Sequence, residues 1–248
     1  MAYRDDIVRF VAELLSVQGF DDECVNGLQV EGKPQVSKIA LGVSASARLF
    51  EGALDYGADL ILVHHGLFWK SDPRPFALRG VMRKRLALLL GADVSLLAYH
   101  LPLDAHPEVG NNAQLLARLG LSRKQAVYVG YLGSLPEPLA LDAFVDRVNA
   151  LIGAQAQVFP YGPDRVQHVA VVSGGASPEY FMAVDAGADT FLAGDIRENI
   201  VRELEEARIN YINAGHYNTE QFGIQALGAR VRDTFDVEVE FIDVPNPV

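Results

Sequence analysis

The chain has 248 residues, 50% hydrophobic and 21% charged, which suits a water-soluble globular protein with enough apolar side chains for one large core or two smaller ones. A formal net charge of −11 argues against nucleic acid as a partner of the whole surface, and the single cysteine, Cys24, excludes both an intramolecular disulfide and a thiolate zinc cluster within one chain. The longest apolar stretch, 86–103, is broken by Asp93 and His100, so no membrane span is expected. The first residues read as an amphipathic helix rather than a signal peptide, which makes a reducing, cytoplasmic location the expectation.

In chain order, Ile39-Ala40-Leu41-Gly42-Val43 predicts a buried strand. A helix follows, then a Gly57-Ala58-Asp59 turn and a second strand, Leu60-Ile61-Leu62-Val63, that ends in His64 and His65. Gly66 is the residue expected to let the backbone turn there. The basic cluster Arg79, Arg83, Lys84 and Arg85 reads as the solvated face of a helix. His100-Leu101-Pro102-Leu103-Asp104-Ala105-His106 follows another strand, with Asp104 expected in a loop ahead of a helix capped by Asn111 or Asn112. Further on, 126–132 predicts a strand, Pro136 and Pro138 a turn, 141–152 an amphipathic helix and 156–159 a strand. Ser173-Gly174-Gly175-Ala176-Ser177 reads as a strand-to-helix turn, and 237–244 as a C-terminal strand.

Displaced by 130 residues, the chain resembles itself. The 39–43 strand falls on Val169-Ala170-Val171-Val172-Ser173, and Gly57-Ala58-Asp59 falls on Gly187-Ala188-Asp189. His64-His65 falls on Gly194-Asp195. With another offset, His100 falls on His216 and Asp104 on Glu220. The expectation is an α/β fold of two related halves from an internal duplication, 1–124 and 125–248, packed as one body. Each half would have mostly parallel sheets flanked by helices, with a site between them.

Imidazole is the commonest neutral metal ligand, and paired histidines rarely serve packing, although a hydrogen-bonded pair at a sheet rim is the plain alternative. Sites in α/β proteins lie beyond the carboxyl ends of parallel strands, where His64 and His65 fall. In Gly215-His216-Tyr217-Asn218-Thr219-Glu220, Asn218 is expected to cap a helix with Gln221 completing the box. His216 would then stand on the loop and Glu220 in the first turn. Glu220 there also complements the helix dipole, and Asp104 alone would be an ordinary turn residue. Together His64, His65, Asp104, His216 and Glu220 exceed what one tetrahedral site needs. They suit two divalent cations roughly 3.5–4 Å apart that share a carboxylate. The donor set suits Zn, Mn, Fe, Co or Ni and does not choose among them. His100 and His106 are candidates for moving protons in catalysis, and His100 also for orienting a ligand. His168 has no assigned role.

These residues, with Asn26-Gly27-Leu28-Gln29-Val30, His64-His65-Gly66-Leu67-Phe68-Trp69-Lys70 and Asn111-Asn112, resemble the signatures of the dinuclear-metal-centre family. Its members are labelled GTP cyclohydrolase I type 2 homologs or NGG-interacting-factor-three-like proteins, and the likeness is to the short bacterial form. The resemblance implies the same five ligands, with Glu220 as the bridge, and a ring-shaped homohexamer. It also implies GTP cyclohydrolase-like chemistry, although no guanine or triphosphate site is recognisable. The functional expectation is a metal-dependent hydrolase of a small molecule, a nucleotide or another heterocycle. The alternative is a non-catalytic metal carrier or metal-responsive regulator.

Overall fold

A computed structural model describes residues 1–72 and 77–248 and shows a mixed α/β protein with helices flanking its sheets. Two compact units divide the chain: residues 1–103 with 224–245, and residues 104–223 with 246–248.

In the first unit five strands line up as Glu238–Phe241, Lys38–Ser44, Leu60–His65, Ser95–Ala98 and Gly27–Val30. The first three pairings are parallel and the last, at the Gly27–Val30 edge, is antiparallel. Leu60, Ile61, Leu62 and Val63 are all fully buried, as a parallel strand covered on both faces requires. Each such side chain contributes roughly 1.5–3 kcal/mol by leaving water. Helix Ala47–Tyr56 starts on Ser46, whose side chain accepts from Leu49 N at 3.2 Å, and ends on Gly57 at φ 78°, the left-handed geometry that glycine adopts without strain. Its Leu49, Phe50 and Ala53 join Ile61, Val63, Leu89 and Leu96 in one core. The C-terminal strand belongs to this sheet, with Val239 paired to Ile39, so residues 224–245 lie with the first unit and not with the second half, where chain order had put them.

The second unit holds a six-stranded sheet, in the order Ser122–Val127, Gly130–Ala140, Arg165–Val171, Thr190–Ala193, Asn210–Asn213 and Gln157–Phe159. Only the two central pairings, on either side of Thr190–Ala193, are parallel, so this sheet is mixed and not mostly parallel. The strand expected over 126–132 is instead a hairpin that turns at Tyr128, whose φ is 51°. Pro136 and Pro138 lie inside its second strand, not in a turn. Helix Leu141–Ile152 has the expected bounds and buries Leu141, Phe144, Val148 and Ile152.

The repeated Gly-Ala-Asp has the same local reason in both units. Asp59 Oδ2 accepts from Ser37 N (2.6 Å) and Lys38 N (3.1 Å), and Asp189 Oδ2 accepts from Gln167 N (2.8 Å) and His168 N (2.7 Å). Each aspartate ties the start of one parallel strand to the turn that feeds the next. Strand register agrees as well: Ile39 pairs with Leu60 and Val169 with Thr190.

Candidate metal centre

The first unit gathers three imidazoles. His64 and His65 close the strand Leu60–His65, and His100 follows Ser95–Ala98 in the neighbouring strand's exit. His64 is fully buried. Ring centroids stand 4.5 Å apart for His64 and His65, 5.1 Å for His64 and His100, and 5.3 Å for His65 and His100. One nitrogen of each lies within 4.8 Å of the others, a spacing that suits a shared cation. The Trp69 ring packs on this group, 5.2 Å from His100 and 6.1 Å from His65. Glycine is needed at Gly66 for room, because a Cβ would meet the Gln29 side chain and stand 2.6 Å from Ala98 Cβ.

Each of these rings has its Nδ1 tied. His64 Nδ1 donates to Tyr99 O at 3.0 Å, which leaves the lone pair of the neutral ring on Nε2. His65 Nδ1 bonds Ser44 Oγ at 3.0 Å, and His100 Nδ1 meets Asp22 Oδ1 at 2.8 Å. Asp22 also accepts from Leu101 N, Asn26 Nδ2 and Cys24 N. Burial acts to raise the pKa of Asp22, but the bonds from His100 and Asn26 outweigh it and hold the carboxyl well below the usual range.

The second unit gathers the carboxylates and one more imidazole. Asp104 lies in a short helix, Leu101–Ala105, not in a loop, and is buried. Its Oδ1 accepts from Asn111 Nδ2 (2.8 Å) and Ser173 Oγ (3.0 Å). Neither asparagine caps the helix Asn111–Arg118; both are fully buried bridges. Asn111 Oδ1 takes Gly223 N at 2.7 Å, and Asn112 joins Asp104 O to Ser173 N. These bonds fix Asp104 against the long helix.

That helix runs His216–Phe235 and begins two residues before the expected cap. Gly215, at φ 89°, makes the entry, and the Asn218 side chain reaches back to Ala214 O at 3.1 Å. His216 and Glu220 are therefore four apart on one helix, which puts them on one face, with Nε2 and Oε1 3.3 Å apart. A carboxylate oxygen of Glu220 lies within 4.8 Å of one from Asp104. His216 Nδ1 meets Asp195 Oδ2 at 3.3 Å. The Asp195 hydrogen bond first, and the Glu220 one second, push the His216 pKa up to about 10 against the opposing effect of burial.

If His216 ligates a cation, metal uptake at pH 7 should consequently release a proton from it. In metal-free protein its ring should titrate by NMR near 10, and added cation should abolish that titration. The folded pKa exceeds the unfolded value of about 6.5, so this pair's stabilisation is complete below about 6.5 and fades as pH rises toward about 10.

The other candidates fall differently. His106 Nδ1 accepts from Val109 N (3.0 Å) and Glu108 N (3.2 Å), so it closes a turn. His168 bonds Ser134 Oγ at 2.9 Å. Sequence reasoning missed Asp22, Asp195 and the roles of Asn111, Asn112 and Ser173. Asp195 carried a signal, since the 130-residue displacement sets it opposite His65, and Asn111-Asn112 carried one through the family resemblance. As a donor set, borderline nitrogen and hard oxygen ligands with outer partners on every ring fit a divalent transition cation.

The fold and these clusters define an α/β protein with candidate metal-ligand groups. The chain matches the Duf34/NIF3 (NGG1p interacting factor 3) family over residues 2–247 and belongs to it. It is 43% identical over 239 residues to a Pseudomonas aeruginosa protein called "GTP cyclohydrolase 1 type 2 homolog", covering 94% of each chain. Among solved structures it is similar to a protein described as ybgI, of unknown function, with a TM-score of 0.95 and 38% identity over 99% of this chain and 100% of that one. A Thermus thermophilus protein, TTHA1606, is similar at a TM-score of 0.93 and 37% identity, over 99% and 100% of the two chains.

Proposed function

We propose that His64, His65, Asp104, His216 and Glu220 hold two divalent cations, with Glu220 as the shared carboxylate, and that the protein is a metal-dependent hydrolase of a small molecule. The observation that carries this reading is the clustering of donor atoms: nitrogens of His64, His65 and His100 within 4.8 Å of one another, carboxylate oxygens of Asp104 and Glu220 equally close, and His216 Nε2 3.3 Å from Glu220 Oε1. Partners on Nδ1, Tyr99 O for His64, Ser44 for His65 and Asp195 for His216, leave Nε2 to serve as the ligand atom. Divalent cations so bound polarise carbonyl or phosphoryl oxygens and lower the pKa of water. The chain's own residues orient the ligands and take up protons. Asn111 and Ser173 fix Asp104, and Asp22 fixes His100, whose ring is placed to accept a proton beside His64 and His65. The homohexamer implied by the family resemblance, and the cytoplasmic location expected from the N-terminal segment, belong to the same proposal.

The test is elemental analysis of protein purified without chelators and sized by light scattering. About two cations per chain are expected, in a six-chain species. Glu220→Ala should lose most of that metal, and hydrolysis of an activated phosphodiester in Mn should fall by about 10- to 100-fold. No metal uptake even after add-back would overturn the ligand assignment. Full metal loading with no turnover of phosphodiesters, nucleotides or cyclic amides would favour a carrier or regulator instead.

A further inference from the structure

Beside His216 the second unit contains an open cavity of about 420 Å3, in the range of small-molecule sites. Its polar lining comprises Gln155, Gln157, Asp195, Asn213, Asn218 and Asn246, and no basic side chain lines it among the described residues. Part of this lining is already committed. Gly215 N donates to Asn213 Oδ1 at 3.2 Å, Asn218 Nδ2 to Ala214 O at 3.1 Å, and Asn213 Nδ2 to Gln157 Oε1 at 3.5 Å. Val248 N donates to Asn246 Oδ1 at 3.3 Å. These bonds use the carbonyl oxygens of Gln157 and Asn246, so their amide N–H groups remain as donors. Asp195 spends Oδ2 on His216, which leaves Oδ1 as an acceptor.

A carboxylate oxygen near carboxamide donors complements a ring that bears an amino group next to an acceptor atom. Carboxylates accept from the cytosine amino group, and carboxamides read the adenine amino edge, by the same geometry. A wall that carries a carboxylate and, among the described residues, no lysine or arginine disfavours phosphates. We propose that this cavity binds an uncharged, amino-substituted heterocycle whose amino group donates to Asp195. Because Asp195 also holds Nδ1 of His216, the occupant is set beside a proposed metal ligand. The proposal rests on the metal reading for its catalytic meaning, but binding itself does not require metal.

The full chain, metal-free and metal-loaded, is titrated with adenosine and cytidine. Inosine and uridine, which lack the amino group, and ATP serve as comparisons. Adenosine and cytidine should bind about tenfold or more tightly than inosine, uridine and ATP, the range of one good bidentate pair. Asp195→Asn should erase the preference for the amino nucleosides. Asn246→Ala, which touches neither His216 nor Glu220, should weaken both by several-fold while leaving the thermal transition and metal content unchanged. Equal binding of inosine, tighter binding of ATP by the metal-free chain, or no binding of either amino nucleoside would overturn the proposal. Metal uptake measured on the same samples separates the two readings. Loaded protein that ignores both nucleosides sinks the cavity assignment alone, and nucleoside binding by a chain that takes up no metal sinks the metal centre alone.

Discussion

Asp22→Ala should cost several kcal/mol of stability, at about 1–3 kcal/mol for each buried donor left without its acceptor. Its carboxylate is 1% exposed and stands 2.8 Å from His100 Nδ1. Leu101 N and Asn26 Nδ2 each donate to it at 2.9 Å and Cys24 N at 3.1 Å, while Asn26 Oδ1 takes His100 N at 2.8 Å. Alanine leaves those donors buried without an acceptor, and asparagine would turn an N–H toward some of them. Urea denaturation should show a lower midpoint at unchanged slope. Asp21→Ala is the control, because Asp21 is 99% exposed and pairs with Lys70 at the surface, so its change should stay within about 0.5 kcal/mol. Because the folded pKa of Asp22 lies below its unfolded value, its stabilisation is present above about 3.9 and fades as pH falls through the lower folded value. An unchanged urea midpoint for Asp22→Ala would mean that the loop and His100 are held by something else.

Gly174→Ala should weaken cation binding at the proposed site while the fold survives. At φ 64° an alanine costs about 1–2 kcal/mol, which a domain of this size tolerates. The larger effect is local. A Cβ there would collide with Glu220 Oε1 and stand 3.1 Å from His216 Nε2, between the two ligand side chains of the long helix. Metal affinity should fall by about 10- to 100-fold, with circular dichroism unchanged. Gly194→Ala is expected to do more damage, because its Cβ would stand 2.8 Å from His216 Cα and 2.9 Å from Gly174 Cα, which are backbone atoms that cannot swing aside. Wild-type metal content in Gly174→Ala would show that the Glu220 side chain can move aside and still serve the site, or that it is not a ligand. The glycine loop that read only as a tight turn thus has a second constraint, the space its neighbours need.

Much of the candidate site was legible because its chemistry is local. His64-His65 at a strand end, and histidine with an acid four residues on in His216 and Glu220, are patterns in residue type and spacing, and both follow from the periodicity of one element. Helix Leu141–Ile152 and the buried strand Leu60–His65 were legible for the same reason. Asp22 was not, since within Asp21-Asp22-Glu23 nothing marks the one carboxylate that is buried from its neighbours. Asn111 and Asn112 passed for helix caps because asparagine before a helix usually is one; their burial against Asp104, Ser173 and Gly223 depends on segments up to 112 residues away in sequence.

The sequence by itself determined the α/β class, the ligand-type residues and the repeated Gly-Ala-Asp device, because helix and strand periods, turn chemistry and donor type are written residue by residue. Only the tertiary structure decided that Glu238–Phe241 completes the first sheet, that the second sheet is mixed, and which polar groups hold each imidazole and carboxylate in place. Those outcomes depend on which distant segments share a sheet or a buried pocket. A buried donor takes whichever acceptor the packed chain brings within about 3 Å, whatever its distance in sequence.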